Sequence, residues 1–396
     1  HTNWYHTTWY VNILLLYLYM NSPFTFGKIA KGSNFTDRAF ETKRLLSNFD
    51  DKVNTILISP RRWGKSSLVN KSASLFQKEK NKHSVMIDLF NIRDEAQFYS
   101  YFAKKIIQET SSKPREWMDT AMSFLKRLSP KVSFPIDMTN DFEISFELRD
   151  KAEDFEDILN LPEKIARAKK IDIAVCIDEF QNISNFNQPL LFQKRLRASW
   201  QNHKDTVYCL YGSQTHMMTT LFERKSMPFY KFGDVMYLGK IDSSYLTEYI
   251  IKQFNASGKK IDAVLAQLIV YNVQCQPYYT QQLAHIVWIN TEKKVTNEIF
   301  ESSLTELIEQ NAPLYIKDAE TLSNTQINFL RMLIESERKD IYAKELIQKY
   351  RLGTSGNVTK IRSVLINKEI IHLVNSKYEL VDPVFRLWLK NIYFKS

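Results

Sequence analysis

Apolar residues along this chain fall into two alternating patterns. Short, nearly unbroken apolar runs end abruptly in polar residues, and between them lie longer stretches where apolar residues recur every three or four positions. The runs are Ile56–Ile58, Ser84–Leu89, Ile173–Ile177, Thr206–Gly212 and Val235–Leu238. A strand covered on both faces reads as such a run, whereas a period near 3.6 residues marks an amphipathic helix. Strands alternating with helices predict an α/β core, a doubly wound parallel sheet flanked by helices. Between the second and third runs the pattern changes. Pro114–Leu128 carries Trp117, Met118, Ala121, Met122 and Leu125 at helical spacing, and Lys131–Ile136 and Asp141–Leu148 alternate polar and apolar around residues 137–140. This predicts an inserted helix and a hairpin on the sheet edge, then a helix over Glu153–Lys170 leading into the third run.

From Ser243 to Lys317 amphipathic helices follow one another without strand signals, which predicts an α-helical lid. Ser323–Gln326 is an N-cap cluster; helical patterns follow over Ile327–Ile334, Ala343–Tyr350 and Asn357–Asn367, the last two separated by the turn Arg351–Gly356. Two strand-like pieces, Ile370–Val374 and Tyr378–Val381, close the chain around residues 375–377. Helix, helix, turn, helix, hairpin is the order of a winged helix-turn-helix. The expected domains are a leader over 1–19, a core over 20–241 with the hairpin insertion near 130–148, a lid over 242–317 and a winged helix over 318–396.

Composition narrows the class. The 396 residues, 44% hydrophobic and 25% charged, suit a folded soluble protein of two or three domains. With 9 glycines and 11 prolines there is little material for linkers, and no internal repeat is present. Cys176, Cys209 and Cys275 lie in apolar segments without metal or redox spacing, which points to packed thiols in a reducing cytoplasm. Residues 1–19 are rich in Trp, Tyr and His and include an apolar stretch shorter than the ~20 residues that span a bilayer. They lack the basic start and small-residue cleavage site of a signal peptide. They read as an unstructured leader or as sequence upstream of a start at Met20, with no stable membrane insertion. Residues 323–396 carry 13 Lys/Arg against 7 Asp/Glu, most of the chain's net +10. The third helix there presents Asn357, Thr359, Lys360, Arg362, Ser363 and Lys368, a donor-rich set suited to phosphates and bases of double-stranded DNA; a protein-docking winged helix is the alternative. Asn357 is the base-reading candidate, Lys360 and Arg362 the phosphate contacts.

The chemistry concentrates at the ends of three runs. After Ile58 come Ser59, Pro60, Arg61, Arg62, Trp63, Gly64, Lys65, Ser66 and Ser67, then a helical segment. This approximates the phosphate-binding loop G-x-x-x-x-G-K-[ST], with Ser59 in place of the first glycine. In such a loop backbone N–H groups and the helix N-terminus cradle phosphates, the lysine (Lys65) reaches the outer ones and the hydroxyl after it (Ser66) ligates Mg²⁺. The run Ile173–Ile177 ends in Asp178 and Glu179, the arrangement in which the first acid holds Mg²⁺ through water and the second polarises the attacking water. Thr206–Gly212 ends in Ser213 and Gln214, which either orient that water and sense the γ-phosphate or, for Ser213, cap the next helix.

These residues carry a resemblance. The loop, the Asp178-Glu179-Phe180-Gln181 box and Gly212-Ser213 resemble the prokaryotic AAA+-type P-loop ATPases related to the STAND and origin-recognition ATPases. Phe35-Thr36-Asp37-Arg38-Ala39-Phe40-Glu41 is similar to that family's box before the first strand, which implies that Phe35 and Arg38 help enclose the adenine. Cys275-Gln276-Pro277-Tyr278-Tyr279 is similar to its lid motif, placing Pro277 by the base, with Tyr278 and Tyr279 either beside it or in the core. Asp382–Leu389 is similar to its closing helix. The resemblance covers roughly residues 22–394. One departure stands out: Pro228-Phe229-Tyr230 is followed by Lys231 where the family often has an arginine finger, and Arg224 is a possible substitute.

The expected function is a cytoplasmic, Mg²⁺-dependent ATP-binding ATPase, slow in turnover, acting as a nucleotide-controlled switch coupled to DNA, a protein partner or a homo-oligomer. The catalytic set would be Lys65, Glu179, Ser213 and Gln214, with Ser66 and Asp178 at the metal. The alternatives are a DNA-binding regulator whose nucleotide is structural and barely hydrolysed, and a peptide-docking scaffold.

Overall fold

The computed structural model describes residues 22–30, 32–111, 115–128, 130–133, 143–145, 152–336, 340–374 and 376–395. It divides into two units, one over Arg38–Gly239 and one joining the residues up to Asp37 to Lys240 and beyond.

In the first unit the five apolar runs form β1 (Thr55–Ile58), β2 (Lys82–Asp88), β5 (Asp172–Asp178), β6 (Thr206–Gly212) and β7 (Asp234–Tyr237). They pair in the order β2-β5-β6-β1-β7, every neighbour parallel. The central strands are the most continuous runs because both their faces are covered: β1 and β6 are buried throughout and β5 from Ile173 to Ile177. Aromatic side chains fill the space between sheet and helices. Trp200 stacks on Tyr208 of β6 at 4.3 Å, and Phe180 meets Phe229 edge-on at 5.4 Å. The order places β6 between the strand leading into the Ser59–Ser67 loop and the strand ending in Asp178. Three polar strand ends therefore sit side by side.

The insertion departs from expectation in two ways. Arg115–Leu125 is a helix that buries Trp117, Ala121 and Leu125, as the spacing predicts, while Met118 and Met122 stay exposed. The strands β3 (Lys131–Ser133) and β4 (Glu143–Ser145) pair antiparallel, but as a separate two-stranded sheet instead of an extension of the main one. Ile144 is buried in the core cluster beside residues of helix Glu95–Glu109, so helix packing takes the place of edge pairing. The rest of the expected hairpin lies outside the described residues. The helix expected over Glu153–Lys170 is two, Ala152–Leu159 and Leu161–Lys169, broken at Asn160. Pro162 is the cause: it has no N–H to donate and belongs at a helix start.

The second unit is helical. Ser243–Ala256, Ala263–Asn272, Pro277–Ile289 and Asn297–Glu320 are followed by Asn324–Glu335, Lys344–Lys349 and Ser355–Asn367, the antiparallel hairpin β8 (Ile371–Val374) and β9 (Lys377–Leu380), and helix Pro383–Trp388. Ser323 and Gln326 form a reciprocal capping box that starts Asn324–Glu335. Residue 317 falls inside helix Asn297–Glu320, and one apolar core runs from Phe24 to Leu389. A polar cluster is buried in it: the Tyr279 and Tyr315 hydroxyls both donate to Asp382, whose other duty is to accept from Val384 N and Phe385 N at the start of the last helix. Tyr279 is thereby a core residue, and Tyr278 packs against Phe26. No helix among the described residues is long and apolar enough to cross a membrane.

Candidate functional site

The loop after β1 makes a tight turn without the missing glycine. Ser59 keeps a negative φ; the left-handed positions are Arg62 (φ 67°) and Gly64 (φ 89°), so the loop needs a glycine near its end, not at its start. Ser59 is buried and its hydroxyl donates to Pro60 O at 3.1 Å. Helix Lys65–Phe76 begins on Gly64, which has no side chain to offer the first-turn N–H groups. A helix start of this kind favours an anion. Lys65 is 6% exposed, with Nζ donating to Pro60 O at 3.4 Å. The loop is braced from behind by Arg38, 4% exposed, whose guanidinium donates to Trp63 O (3.4 Å) and Gly239 O (2.6 Å) and pairs with Glu41 (2.9 Å). Arg38 therefore fixes the loop from inside the fold.

Opposite the loop, Ser66 Oγ donates to Asp178 Oδ2 at 2.9 Å, and Glu179 N donates to Asp178 Oδ1 at 2.8 Å. Burial pushes the Asp178 carboxyl up to about 6, against the opposing pull of the Ser66 hydrogen bond, the Glu179 N–H and the Lys65 charge. Glu179 adopts a left-handed φ of 50°, turning the chain as β5 ends. Its Oε2 accepts from Ser213 Oγ at 3.0 Å and from Gln181 Nε2. Arg61 Nε donates in turn to Ser213 Oγ at 3.3 Å. The loop tip, the end of β5 and the end of β6 are thus joined in one hydrogen-bonded chain. The helix after β6, Thr215–Glu223, has Gln214 at its N-cap, so Ser213 does not cap it and its hydroxyl donates to Glu179. The Gln214 side chain makes no capping bond.

Two members of this network, Gln181 and Gly212, stand in the motifs that carry the resemblance but have no role in the sequence reading. Gln181 is 1% exposed and lies so close to Gly212 that a Cβ built there would meet its Oε1 at 1.9 Å. Gly212 is what lets Gln181 reach Glu179. The available signal was a glycine at the end of an otherwise apolar strand in a chain with only 9 glycines, a mark of close approach.

A family model described as "Probable winged helix domain" matches residues 313–391. No curated protein matches the chain. Among solved structures the chain is similar to a Walker-type ATPase of Pyrococcus abyssi, at 16% identity over 93% of this chain and 99% of that one, with a TM-score of 0.64. It is also similar to the ORC2 protein of Aeropyrum pernix, solved as ADPNP-ADP complexes, at 14% identity over 94% and 98%, TM-score 0.55. The fold is that of the AAA+ P-loop ATPases, ended by a winged helix.

Lys231, which stands where the resemblance led an arginine to be expected, is exposed, with a φ of 54° and its ammonium 5.6 Å from the Tyr230 ring centre. Arg224 is exposed at the end of helix Thr215–Glu223. Phe35 and Pro277 belong to the other unit, where Phe35 N donates to Gly32 O and Pro277 starts its helix. In the winged helix Lys360 is exposed. Asn357, the expected base reader, donates its amide to Leu352 O at 2.8 Å and so braces the preceding turn. Arg362 is half-buried, donating to the Tyr342 hydroxyl at 2.9 Å and lying 5.9 Å from the Tyr378 ring centre.

Proposed function

We propose that this AAA+ chain is a slow, Mg²⁺-dependent ATP hydrolase working as a nucleotide-controlled switch. The observation that carries the reading is the 2.9 Å hydrogen bond from Ser66 to Asp178. It joins the hydroxyl that follows the loop lysine to the first acid of a strand two places away in the sheet. A hydroxyl and a carboxylate are hard oxygen donors, the kind Mg²⁺ takes in small number beside phosphate oxygens. Burial also raises the Asp178 carboxyl to about 6 by disfavouring its charged form, a penalty that a cation beside it relieves. The residues fit the ion, whose chemistry when bound would be neutralisation of charge on the outer phosphates.

The chain's own groups then divide the work. Lys65 and the loop N–H groups bind the phosphates, with Ser59–Ser67 as the cradle and Arg38 holding its shape. Glu179 takes the proton from the attacking water, and the hydrogen bond from Ser213 to Glu179 supports Ser213 as the residue that orients that water and senses the γ-phosphate; Gln214 is the adjacent second candidate. Phe35 and Pro277 keep an adenine-side role on the family resemblance alone. The Aeropyrum protein's complexes with ADPNP and ADP support ATP as the nucleotide. Double-stranded DNA is the proposed partner of the winged helix, through exposed Thr359, Lys360 and Ser363, with Arg362 and Asn357 supporting that face. A cytoplasmic setting accords with the free thiols.

The test is ATP turnover, with and without duplex DNA, in the native chain and Glu179→Gln. The variant should bind ATP and turn over slower by roughly 10²–10⁴, the usual worth of a positioned acid–base group. Native-rate hydrolysis in Glu179→Gln overturns the assignment. The exposed Lys231, a point charge where a planar fork would serve phosphoryl transfer better, favours the second reading, a DNA regulator with a structural nucleotide. Nucleotide retained without turnover, and needed for DNA binding, would select it.

A further inference from the structure

We propose that Arg38 is a positioning residue that carries the state of the phosphate loop to both places where the chain passes between its two units. This rests on the ATP-binding reading above and names how the switch is read out. The chain crosses at Asp37–Arg38 and again at Gly239–Lys240. Arg38 stands first in the first unit and Gly239 last, and Arg38 Nη2 donates to Gly239 O at 2.6 Å. One side chain therefore ties the two crossings together. The same nitrogen donates to Trp63 O at 3.4 Å, while Nη1 pairs with Glu41 at 2.9 Å. Nη2 has two N–H groups, one for each carbonyl.

Trp63 O and Gly64 N–H belong to one planar trans peptide, whose two polar groups point in opposite directions. Holding the carbonyl behind the loop therefore sets the direction of Gly64 N–H in front of it, one of the groups assigned to phosphate. A phosphate that takes this N–H fixes the tilt of the peptide. The contact from Arg38 to Trp63 O is long at 3.4 Å, where Gly239 O is held at 2.6 Å, so it is the one with room to tighten. The backbone at the first crossing suits a hinge: Asp37 (φ 58°) and Arg38 (φ 68°) are consecutive left-handed residues bearing side chains, just before helix Ala39–Asp50. Past the second crossing Lys240 Nζ pairs with Glu379 of β9 at 2.9 Å. The two residues of the Gly239–Lys240 peptide are thus each tied down, one to Arg38 and one to the hairpin of the winged helix. A change at Gly239 is handed on to that hairpin.

The experiment is hydrogen exchange of the full chain, with and without ATP and Mg²⁺, in the native protein, Arg38→Met, Arg38→Lys and Lys240→Met. Leu68 N–H, bonded to Gly64 O at 3.0 Å, reports the loop. Thr42 N–H, bonded to Arg38 O at 2.9 Å, and Leu238 N–H, bonded to Ile58 O at 3.0 Å, report the two crossings. Helix Glu95–Glu109 reports the general slowing that any ligand brings. In the native chain ATP should slow both crossings and the β8–β9 hairpin by about fivefold or more beyond that helix, the lower end of usual coupling between sites. At ATP concentrations shown by calorimetry to saturate, Arg38→Met should keep the slowing at Leu68 and lose it at both crossings. Arg38→Lys, with the charge but not the planar fork, should fall between. Lys240→Met should keep the slowing at the crossings and lose it in the hairpin. A role in stability alone would change the rates without nucleotide but not the response to it, so a native response in either Arg38 variant overturns the proposal. So do crossings that ignore ATP in the native chain, a native hairpin response in Lys240→Met, and loss of ATP binding in both Arg38 variants, which would confine Arg38 to the loop. Should Arg38→Met not fold, Arg38→Lys decides. Failure of the ATP-binding reading looks different: ATP would leave Leu68 unchanged in the native chain.

Discussion

Replacing Gly212 by alanine probes the least obvious part of the site. The new methyl carbon would lie 1.9 Å from Gln181 Oε1 and 3.0 Å from Met218 Sδ, where ordinary contact begins at 3.4 Å. Gln181 must withdraw by more than an ångström, yet it is 1% exposed and has little space to enter. A simple amide flip would turn its oxygen on Glu179, whose Oε2 now accepts from Gln181 Nε2. The clash therefore costs about 1–3 kcal/mol of stability, the usual price of overpacking a core. It also removes one of the two side-chain donors that hold Glu179, and misplacing a catalytic group by 1 Å costs on the order of 10² in rate. Urea unfolding and ATP turnover should be measured for Gly212→Ala, Gln181→Ala and the pair. Truncating Gln181 empties the space the methyl needs, so the double variant should regain at least ~1 kcal/mol over the additive sum. Turnover should stay low in all three, because Glu179 lacks its partner in each, while ATP affinity holds near native since Lys65 and Ser66 are untouched. Additive stabilities, or native turnover in Gly212→Ala, would refute the reasoning.

Other outcomes follow from the same geometry. Lys65→Ala should abolish ATP binding in calorimetry, and micromolar affinity in that variant would remove the loop from the site. Burial pushes His203 down to about 4, Glu163 opposing, which favours the neutral ring; Nε2 meets Asn160 Oδ1 and Nδ1 the Tyr208 hydroxyl, both at 2.9 Å. The unfolded ring takes a proton below about 6.5 while the native ring resists until about 4, so stability present above pH 6.5 drains away as pH falls across that window, by about 3 kcal/mol at most. Denaturant titrations of the native chain and His203→Gln should diverge from pH 7 to 4.5, and parallel profiles would disprove it. Lys360→Ala should weaken duplex binding across all sequences and flatten the slope of log K against log salt by about 0.9; an unchanged slope frees Lys360 from any phosphate.

Much of this site could be read from the chain alone because its pieces stand at the ends of doubly buried strands. Continuous apolar runs at Ile56–Ile58 and Ile173–Ile177 announce the strands, and the abrupt polar residues after them announce an edge facing a ligand. Partners across the sheet are another matter. Alternation over Lys131–Ile136 and Asp141–Leu148 marks a hairpin, and Lys131–Ser133 does pair with Glu143–Ser145, but nothing in the pattern says whether the pair joins the main sheet, and the helix over Glu95–Glu109 takes the packing that an edge strand would have offered. Pro162 was visible, but the helical pattern around it outweighed its effect on the backbone. Ser59 read as a flaw in the loop until the φ values put the glycine requirement at Gly64. Asn357 reads as a ligand contact by residue type and Arg38 through the family resemblance; that each also donates to backbone carbonyls is something only three-dimensional proximity reveals.

The buried tyrosine pair on Asp382 has a consequence for how the molecule comes apart. Tyr279 and Asp382 are 103 residues apart in sequence, with Tyr315 between them meeting the same carboxylate. Three distant stretches are pinned at one point, so none can melt while the others keep their order, and the helical segment and the winged helix should unfold as one cooperative step. A protease that nicked the exposed turn at Thr321 would sever the chain without releasing either piece. Hydrogen exchange would report the two halves closing and opening together, a single foldon written across two names.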